Sequence, residues 1–412
     1  MIDLKTARQE PDRYRAALAR RGASEDFDAL LDVDRRWREL TDRVDRLRAQ
    51  QKKPNKAPTP AQILQFRHLK DDLRQAEEEL SQADLGRQEL LARIPNLPHP
   101  TAPDGMEEED AELIRTWGEP PVFAFRPRDH LELASPTGWI DMKRGARASG
   151  SRFAYRIGDV ALTEMALYRF VIERLAGKGF LPVLPPVLVA ERAMFGTGFL
   201  PTDENNLYHL EKDDLYLTGT SEVALAAIHM DERLEADHLP VCYAGFSTNF
   251  RREAGASGKD TRGMFRVHQF DKVEMFVCCF PEDSEELHER LLAYEEELVQ
   301  TLGLPYRVMN IAAGDLGPPA TKKYDIEAWF PAQQRYREIT SCSNTTDYQA
   351  RRLNIRVRRE GNLEFVHTLN GTGVTARTLL AIMENFQDEG GAVAIPEVLL
   401  EYGAPSKIGM SP

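Results

Sequence analysis

Two runs of apolar residues at three- and four-residue steps limit what this chain can fold into more than any other feature. Leu30, Val33, Trp37, Leu40, Val44 and Leu47 form the first, and Phe66, Leu69, Leu73, Ala76, Leu80, Ala83, Leu90 and Ile94 the second. Such spacing lays one apolar stripe along a helix, and two stripes of this length bury each other as a coiled coil, here over about residues 28–94. The segment KKPNKAPTP between them is short and turn-rich, so the two predicted helices are antiparallel neighbours. At ~1.5 Å per residue the hairpin would reach roughly 30–40 Å. Arg87 interrupts the second stripe and is expected to snorkel out of the seam.

Charge is concentrated at the tip of this hairpin. Between Arg43 and Lys70 stand eight Lys or Arg (Arg43, Arg46, Arg48, Lys52, Lys53, Lys56, Arg67, Lys70) and one acid, Asp45. That local +7 within a net charge of −13 leaves −20 for the rest of the chain. A basic tip on an acidic body suits contact with a polyanion at one chosen place and argues against general nucleic-acid binding. The plain alternative is a hairpin that only packs or dimerises.

The 412 residues allow two or three domains and a large core. Four cysteines, Cys242, Cys278, Cys279 and Cys342, show no CxxC pairing and no metal spacing, so reduced thiols are expected. The N-terminus MIDLKTARQEPD lacks a signal-peptide core and no run has the length of a membrane span, so a cytoplasmic protein without membrane contact is expected. Residues 1–29 read as short helices, Asp3 to Gln9 and Pro11 to Arg21. Pro95, Pro98, Pro100 and Pro103 mark a linker, which divides the chain into a helical arm, 1–103, and a larger domain, 104–412. In the larger domain, residues 159–177 read as an amphipathic helix with Leu162, Met165, Ala166, Tyr168 and Phe170 on its apolar face. An extended, proline-broken segment GFLPVLPPVLV follows, and residues 282–302 give a later helix.

The stretch from Phe250 to Glu274 reads FRREAGASGKDTRGMFRVHQFDKVE. Charged and aromatic residues alternate with short apolar ones around a glycine-rich centre, which predicts two strands joined by a flexible loop. Arg251 and Arg266 present planar forks of donors that suit phosphate oxygens. Phe270 offers a flat face for a purine, and Glu253 and Glu274 would accept from an adenine amino group or a substrate ammonium. Together they describe a nucleotide pocket that also receives a small cation.

This stretch resembles motif 2 of the class II aminoacyl-tRNA synthetases in the form used by the seryl-tRNA synthetase family. TGTSE (Thr218–Glu222), EITSCSN (Glu338–Asn344) and LNGTG…R (Leu369–Arg377) follow in the order of that family, and the helical arm matches as well. The resemblance covers nearly the whole chain. It implies an α+β fold, with an antiparallel catalytic sheet flanked by helices and an N-terminal antiparallel coiled-coil arm. The implied reaction activates L-serine with ATP to seryl-adenylate and transfers serine to the 3′ end of tRNA(Ser), and of tRNA(Sec) where that tRNA exists. The implied protein is a homodimer whose helix and strand around Pro185 brace the partner's site.

The resemblance also implies roles. Arg251 would hold the serine carboxylate against the α-phosphate, Arg266 the outer phosphates, and Glu253 the adenine amino group. Phe270 and Arg377 would stack on opposite adenine faces, and Arg252, Val267, Ile339 and Thr340 would complete the ATP site. Glu338 and Ser341, expected near a strand end, would hold Mg2+. Thr220 and Glu222 would take the serine ammonium and help close the pocket, with Ser221 between them in the serine site. Glu274 and Thr372 would read its hydroxyl and so reject alanine. Residues 254–265, with Gly255, Gly258, Lys259, Arg262 and Gly263, would meet pyrophosphate first and the tRNA acceptor end later. Thr372 to Arg377 is five steps where the family usually has six. Gly371 and Gly373 would absorb a shortened turn, or Thr375 would face the substrate instead. Two other readings are a relative that loads a carrier protein, which would not need the basic arm, and a non-catalytic RNA-binding paralogue, which would have lost the arginines retained here.

Overall fold

The computed structural model describes residues 1–51, 59–254 and 263–409, which form two compact units, Met1–Leu97 and Pro98–Pro412. Lys52, Lys53 and Lys56 of the basic tip, and Gly255, Gly258, Lys259 and Arg262, lie outside the described residues.

The first unit is helical: α1 (Leu4–Gln9), α2 (Pro11–Ala19), α3 (Ser24–Gln50) and α4 (Pro60–Arg93). Its starts follow from local chemistry. Asp3 accepts from the Lys5 N–H at 3.0 Å, and Pro11 sits at the first turn of α2, where no N–H is missed. Thr59 and Gln62 form a reciprocal capping box at α4. Tyr14, Leu18, Phe27, Leu30 and Ile94 fill the base, and Val44, Leu73 and Ala76 carry the seam between α3 and α4. Arg36–Glu79 (3.0 Å) and Arg48–Glu77 (2.8 Å) bridge the two helices. Arg87 does not snorkel. Its guanidinium lies 4.1 Å over the Trp37 ring, bonds Asp84 at 2.8 Å and stands 3.9 Å from the buried Asp34. An aromatic face and two carboxylates keep the cation in the seam.

The second unit is built on a sheet that has eight strands among the described residues. They are β1 (Glu112–Trp117), β2 (Leu181–Val183), β3 (Val241–Phe250), β4 (Gln269–Cys279), β5 (Tyr306–Asn310), β6 (Lys322–Phe330), β7 (Arg335–Thr346) and β8 (His367–Thr375). Their order across the sheet is β1-β5-β6-β7-β8-β4-β3-β2. Every pairing is antiparallel except β2 with β3 at the edge. The helices that matter to the site are α5 (His130–Ala134), α6 (Asp159–Ala176), α7 (Ser221–Ala227), α8 (Ser284–Thr301), α9 (Tyr348–Leu353) and α10 (Ala376–Asn385).

Three glycines identify the two faces of the sheet. A Cβ at Gly373 would meet Val171 of α6 at 2.8 Å, and one at Gly371 would meet Glu295 of α8 at 3.1 Å. These positions therefore face the helix-covered core. A Cβ at Gly245, which pairs with Glu274, would meet Leu225 of α7 at 2.8 Å, so α7 lies on the other face. Gly371 and Gly373 make no turn: both lie inside β8, where close helix packing leaves no room for a side chain. Ala166, Tyr168 and Phe170 of α6 are buried as the periodicity requires, but Leu162 and Met165 stand 51% and 68% exposed.

Candidate active site

A cleft of ≈500 Å³ opens on the α7 side of the sheet, floored by β4, β6, β7 and β8. Phe270, Lys272 and Glu274 enter it from alternate positions of β4, as one face of a strand must. The other two strands obey no simple alternation. Glu338 and Ser341 are three residues apart, which in a regular strand puts them on opposite faces. Opposite β6, however, Ile326 pairs with Thr340 and Glu327 with Glu338, so Ile339 is an extra residue in β7. This bulge returns Glu338 and Ser341 to one face, where both line the cleft. Thr340 between them bonds Glu295 of α8 at 3.1 Å on the other face. The pair lies inside a twelve-residue strand, not near its end as expected.

A second bulge repeats the device in β8. Val273 pairs with Val374 and Glu274 with Thr372, which leaves Gly373 unpaired. Thr372 and Thr375, also three apart, both reach the cleft, so the two alternatives weighed from sequence are not exclusive. Thr372 Oγ1 lies 3.4 Å from Glu274 Oε2. Thr375 Oγ1 donates to the Ile339 carbonyl at 3.2 Å and caps α10 by accepting from the Arg377 N–H.

One end of the cleft is acidic and enclosed. Lys272 Nζ bonds Glu274 Oε2 at 2.5 Å and Thr220 Oγ1 at 2.6 Å, and Asn370 donates to Glu274 Oε1 at 3.1 Å. Glu222, at the start of α7, accepts from Gln349 of α9 at 2.6 Å. Burial pushes the Glu222 carboxyl up to about 7; nearby Glu274 adds to this and Lys272 works against it. Lys272, Asn370 and Gln349 were missed from sequence. Lys272 was within reach, since it shares the strand alternation of Phe270 and Glu274; Gln349 gave no signal.

The other end is cationic and aromatic. Arg266 pairs with Glu253, whose backbone sits at φ +52°. The Arg266 Nε is buried and has no partner among the described residues. Arg377 Nη1 bonds Glu338 Oε2 at 2.9 Å, and its guanidinium lies 4.8 Å over the Phe265 ring. Burial works to raise the Glu338 pKa, but Arg377 and then Lys323 outweigh it and hold this carboxyl well below its ordinary range. Arg251 stands between the two ends. Its charge lowers both the Glu222 and Glu338 carboxyls, its Nε donates to the Gly219 carbonyl at 3.1 Å, and it lies 5.4 Å over Phe270.

Val267 and Ile339 line the cleft; Arg252 and Ser221 do not. Arg252 leaves the backbone on the side opposite Arg251, bonds the Leu207 carbonyl at 2.7 Å and stacks on Tyr208 at 4.8 Å. Ser221 is buried against Ser247 at 2.6 Å. A single ionised carboxylate and one hydroxyl on the same face suit magnesium, which takes few protein ligands beside phosphate and water. Among the described residues no trio of His, Cys, Asp or Glu is placed to cage an ion.

Residues 1–98 match the seryl-tRNA synthetase N-terminal domain, and residues 207–386 match the tRNA synthetase class II core domain (G, H, P, S and T). The chain is 50% identical over 414 residues to a serine–tRNA ligase of Streptomyces coelicolor, covering 98% of this chain and 97% of the relative. It is similar to the crystal structure of seryl-tRNA synthetase from Pyrococcus horikoshii complexed with ATP, with TM-score 0.93, 39% identity and 100% of both chains covered. A cytoplasmic serine–tRNA ligase from Naegleria fowleri in complex with AMP superposes with TM-score 0.87 at 34% identity, covering 98% of this chain and 96% of that one.

Proposed function

The chain belongs to the seryl-tRNA synthetase family, and from that premise we propose how its cleft activates serine and charges tRNA. The observation that carries the reading is the polarity of the cleft. Buried carboxylates, Glu222 and Glu274, lie at one end, cations and aromatic faces at the other, and Arg251 between them. A serine zwitterion matches this gradient, with its ammonium toward Thr220 and Glu222 and its carboxylate toward Arg251. Glu274 Oε2 and Thr372 Oγ1, 3.4 Å apart, would both bond a small hydroxyl set beside them. An alanine in that place would leave the buried carboxylate one hydrogen bond short, a loss of about 1–3 kcal/mol or more.

In the first step a serine carboxylate oxygen attacks the α-phosphorus of ATP, and the bond to the β-phosphate oxygen breaks to release pyrophosphate. Arg251 holds the attacking carboxylate and the α-phosphate together and stabilises the charge that builds between them. Arg266 grips the outer phosphates and Glu253 takes the adenine amino group, which requires their mutual ion pair to open. Phe270 and Arg377 sandwich the base. Glu338 and Ser341 would hold magnesium, which supplies charge neutralisation on the phosphate oxygens when bound. In the second step a terminal ribose hydroxyl of the tRNA attacks the acyl carbon and AMP leaves.

The basic tip of the α3–α4 hairpin is the proposed contact for tRNA(Ser), and for tRNA(Sec) where present. Arg46, Arg67 and Lys70 act there alongside Arg43, Arg48, Lys52, Lys53 and Lys56. The working division is an arm, 1–103, and a catalytic domain, 104–412. The protein acts in the cytoplasm as a homodimer. Leu162 and Met165 of α6, and Leu184 just before Pro185 at 83% exposure, are exposed apolar side chains that a second copy would cover. Among the described residues no helix is long and apolar enough to cross a membrane. Serine-dependent exchange of pyrophosphate into ATP tests the chemistry. Arg251→Ala should lower it by about 10²–10³-fold, the usual cost of removing one donor to developing charge. Normal exchange in that variant would defeat the assignment.

A further inference from the structure

We propose that His130 is a positioning residue for the nucleotide end of the cleft, tying the Met264–Arg266 wall to the Arg377 helix through one fixed tautomer. The proposal deepens the reading of that end as the ATP site and rests on it. His130 opens α5 and is buried at 4% exposure. Its Nε2 lies 3.1 Å from the backbone N of Met264. A backbone N–H only donates, so Nε2 must be the nitrogen with the free lone pair. The proton therefore sits on Nδ1, which donates to Glu384 Oε1 at 3.0 Å; the His130 backbone N–H reaches the same oxygen at 3.3 Å.

Each partner leads into the cleft. Glu384 lies on α10, seven residues and so two turns beyond Arg377, on the same side of that helix. Met264 is followed by Phe265, whose carbonyl accepts from Arg377 Nε at 3.3 Å and whose ring underlies the Arg377 guanidinium. One imidazole thus fixes two walls of the proposed adenine clamp without touching the base. Gly263 makes the approach possible: its φ is +87°, and a Cβ there would collide with the His130 ring. A second link closes the frame at the far end of α10, where Gln387 donates to the Arg128 carbonyl at 2.9 Å and accepts from the Arg128 N–H at 2.8 Å. The carboxylate of Glu384 selects the tautomer, as a carboxylate orients an imidazole in catalytic and metal sites.

The test uses the full chain and ATP alone. His130→Ala and Glu384→Leu should weaken ATP binding, read by calorimetry, by about ten-fold or more. In Glu384→Leu the acceptor is gone, so nothing holds the proton on Nδ1 and keeps Nε2 bare toward the Met264 N–H. His130→Gln, whose amide oxygen can still accept from Met264, should keep ATP affinity within about three-fold, as conservative rescue of one hydrogen bond. In pyrophosphate exchange the KM for ATP should rise while the KM for serine stays put. Folded Glu384→Leu with unchanged ATP affinity overturns the proposal, as does a fall in melting temperature with both KM values moving together. The nitrogen-15 signals of His130 decide the tautomer independently of ATP: a protonated Nδ1 with bare Nε2 supports the proposal, and a protonated Nε2 sinks it. A wild-type protein that binds no ATP would instead defeat the reading of the cleft, and those signals would still stand.

Discussion

Lys272 lies 2.5 Å from Glu274 at a point where both side chains are almost wholly buried, 8% and 0% exposed. Both act on the buried Glu222 carboxyl, so the serine end of the cleft holds two carboxyls and one ammonium. A substrate ammonium completes the balance, which gives the pocket a reason to prefer a zwitterion over a neutral alcohol of the same size.

Replacing Lys272 with Met should show this balance directly. Removing one partner of a buried pair costs about 3–5 kcal/mol when the other stays charged, so urea melts should lose about 3 kcal/mol or the pocket should take up a proton. Because Lys272 holds the Glu222 carboxyl down, its loss moves that group further above 7. The KM for serine should then rise at pH 7 and recover at pH 8–9. A serine KM with no pH dependence beyond that of the wild type would contradict the electrostatic account.

Glu222 itself should set a pH limb for serine binding. Its pKa near 7 in the folded protein is above the ordinary 4.5, so the folded state binds the extra proton between those values. Stability from this group is therefore highest below about pH 4.5 and declines as pH rises through 7, by about 3 kcal/mol in all. Serine needs the ionised carboxylate, so its affinity should climb by up to about ten-fold per pH unit below 7 and level off above. Glu222→Gln should flatten this limb, weaken serine binding and gain about 1–3 kcal/mol of stability at pH 8. Calorimetry in buffers of different ionisation enthalpy should detect about one proton released per serine bound near pH 6.

Much of the fold was legible because periodicity and turn chemistry report burial locally. The heptads of α3 and α4 and the short helices before them depend on neighbours within a few residues. The site was less legible where function depends on a break in that regularity. Nothing in EITS reveals that Ile339 is extra, and so nothing reveals that Glu338 and Ser341 share a face. The bulge at Gly373 hid the joint presence of Thr372 and Thr375 in the same way. Arg252 was drawn into the ATP site by its neighbour Arg251, although adjacent residues of an extended chain diverge. Gln349 and His130 reach their partners over 127 and 134 positions, which no local pattern encodes.

The bulge at Ile339 makes a separable prediction about magnesium. Glu338→Gln removes the ionised oxygen and weakens the hold on Arg377, so exchange should need about ten-fold or more magnesium and the KM for ATP should rise with it. Ser341→Ala should raise the magnesium requirement with a smaller change at the base, since Ser341 makes no bond to Arg377 among those found for that guanidinium. Equal effects of both variants on ATP and on magnesium would show that the two residues do not divide these tasks.

The arm should act on RNA alone. Arg48 is engaged by Glu77 at 2.8 Å, and Arg43 lies 3.8 Å from Glu79, yet all four side chains are 32–59% exposed. Such surface pairs are worth about 0–1 kcal/mol each, so the phosphates of a tRNA can displace them at little cost. Changing Arg46, Arg67 and Lys70 together to Glu should raise the KM for tRNA(Ser) in charging by about ten-fold or more and make charging less sensitive to salt, because three phosphate contacts are lost. Serine-dependent pyrophosphate exchange should stay within about two-fold of wild type, since that step uses no RNA. Glu77→Ala should do the reverse and modestly lower the KM for tRNA by freeing Arg48, with no more than about 1 kcal/mol lost in thermal unfolding. If the triple variant charged tRNA normally while remaining folded, the basic tip would be only a solvated end of a packing hairpin.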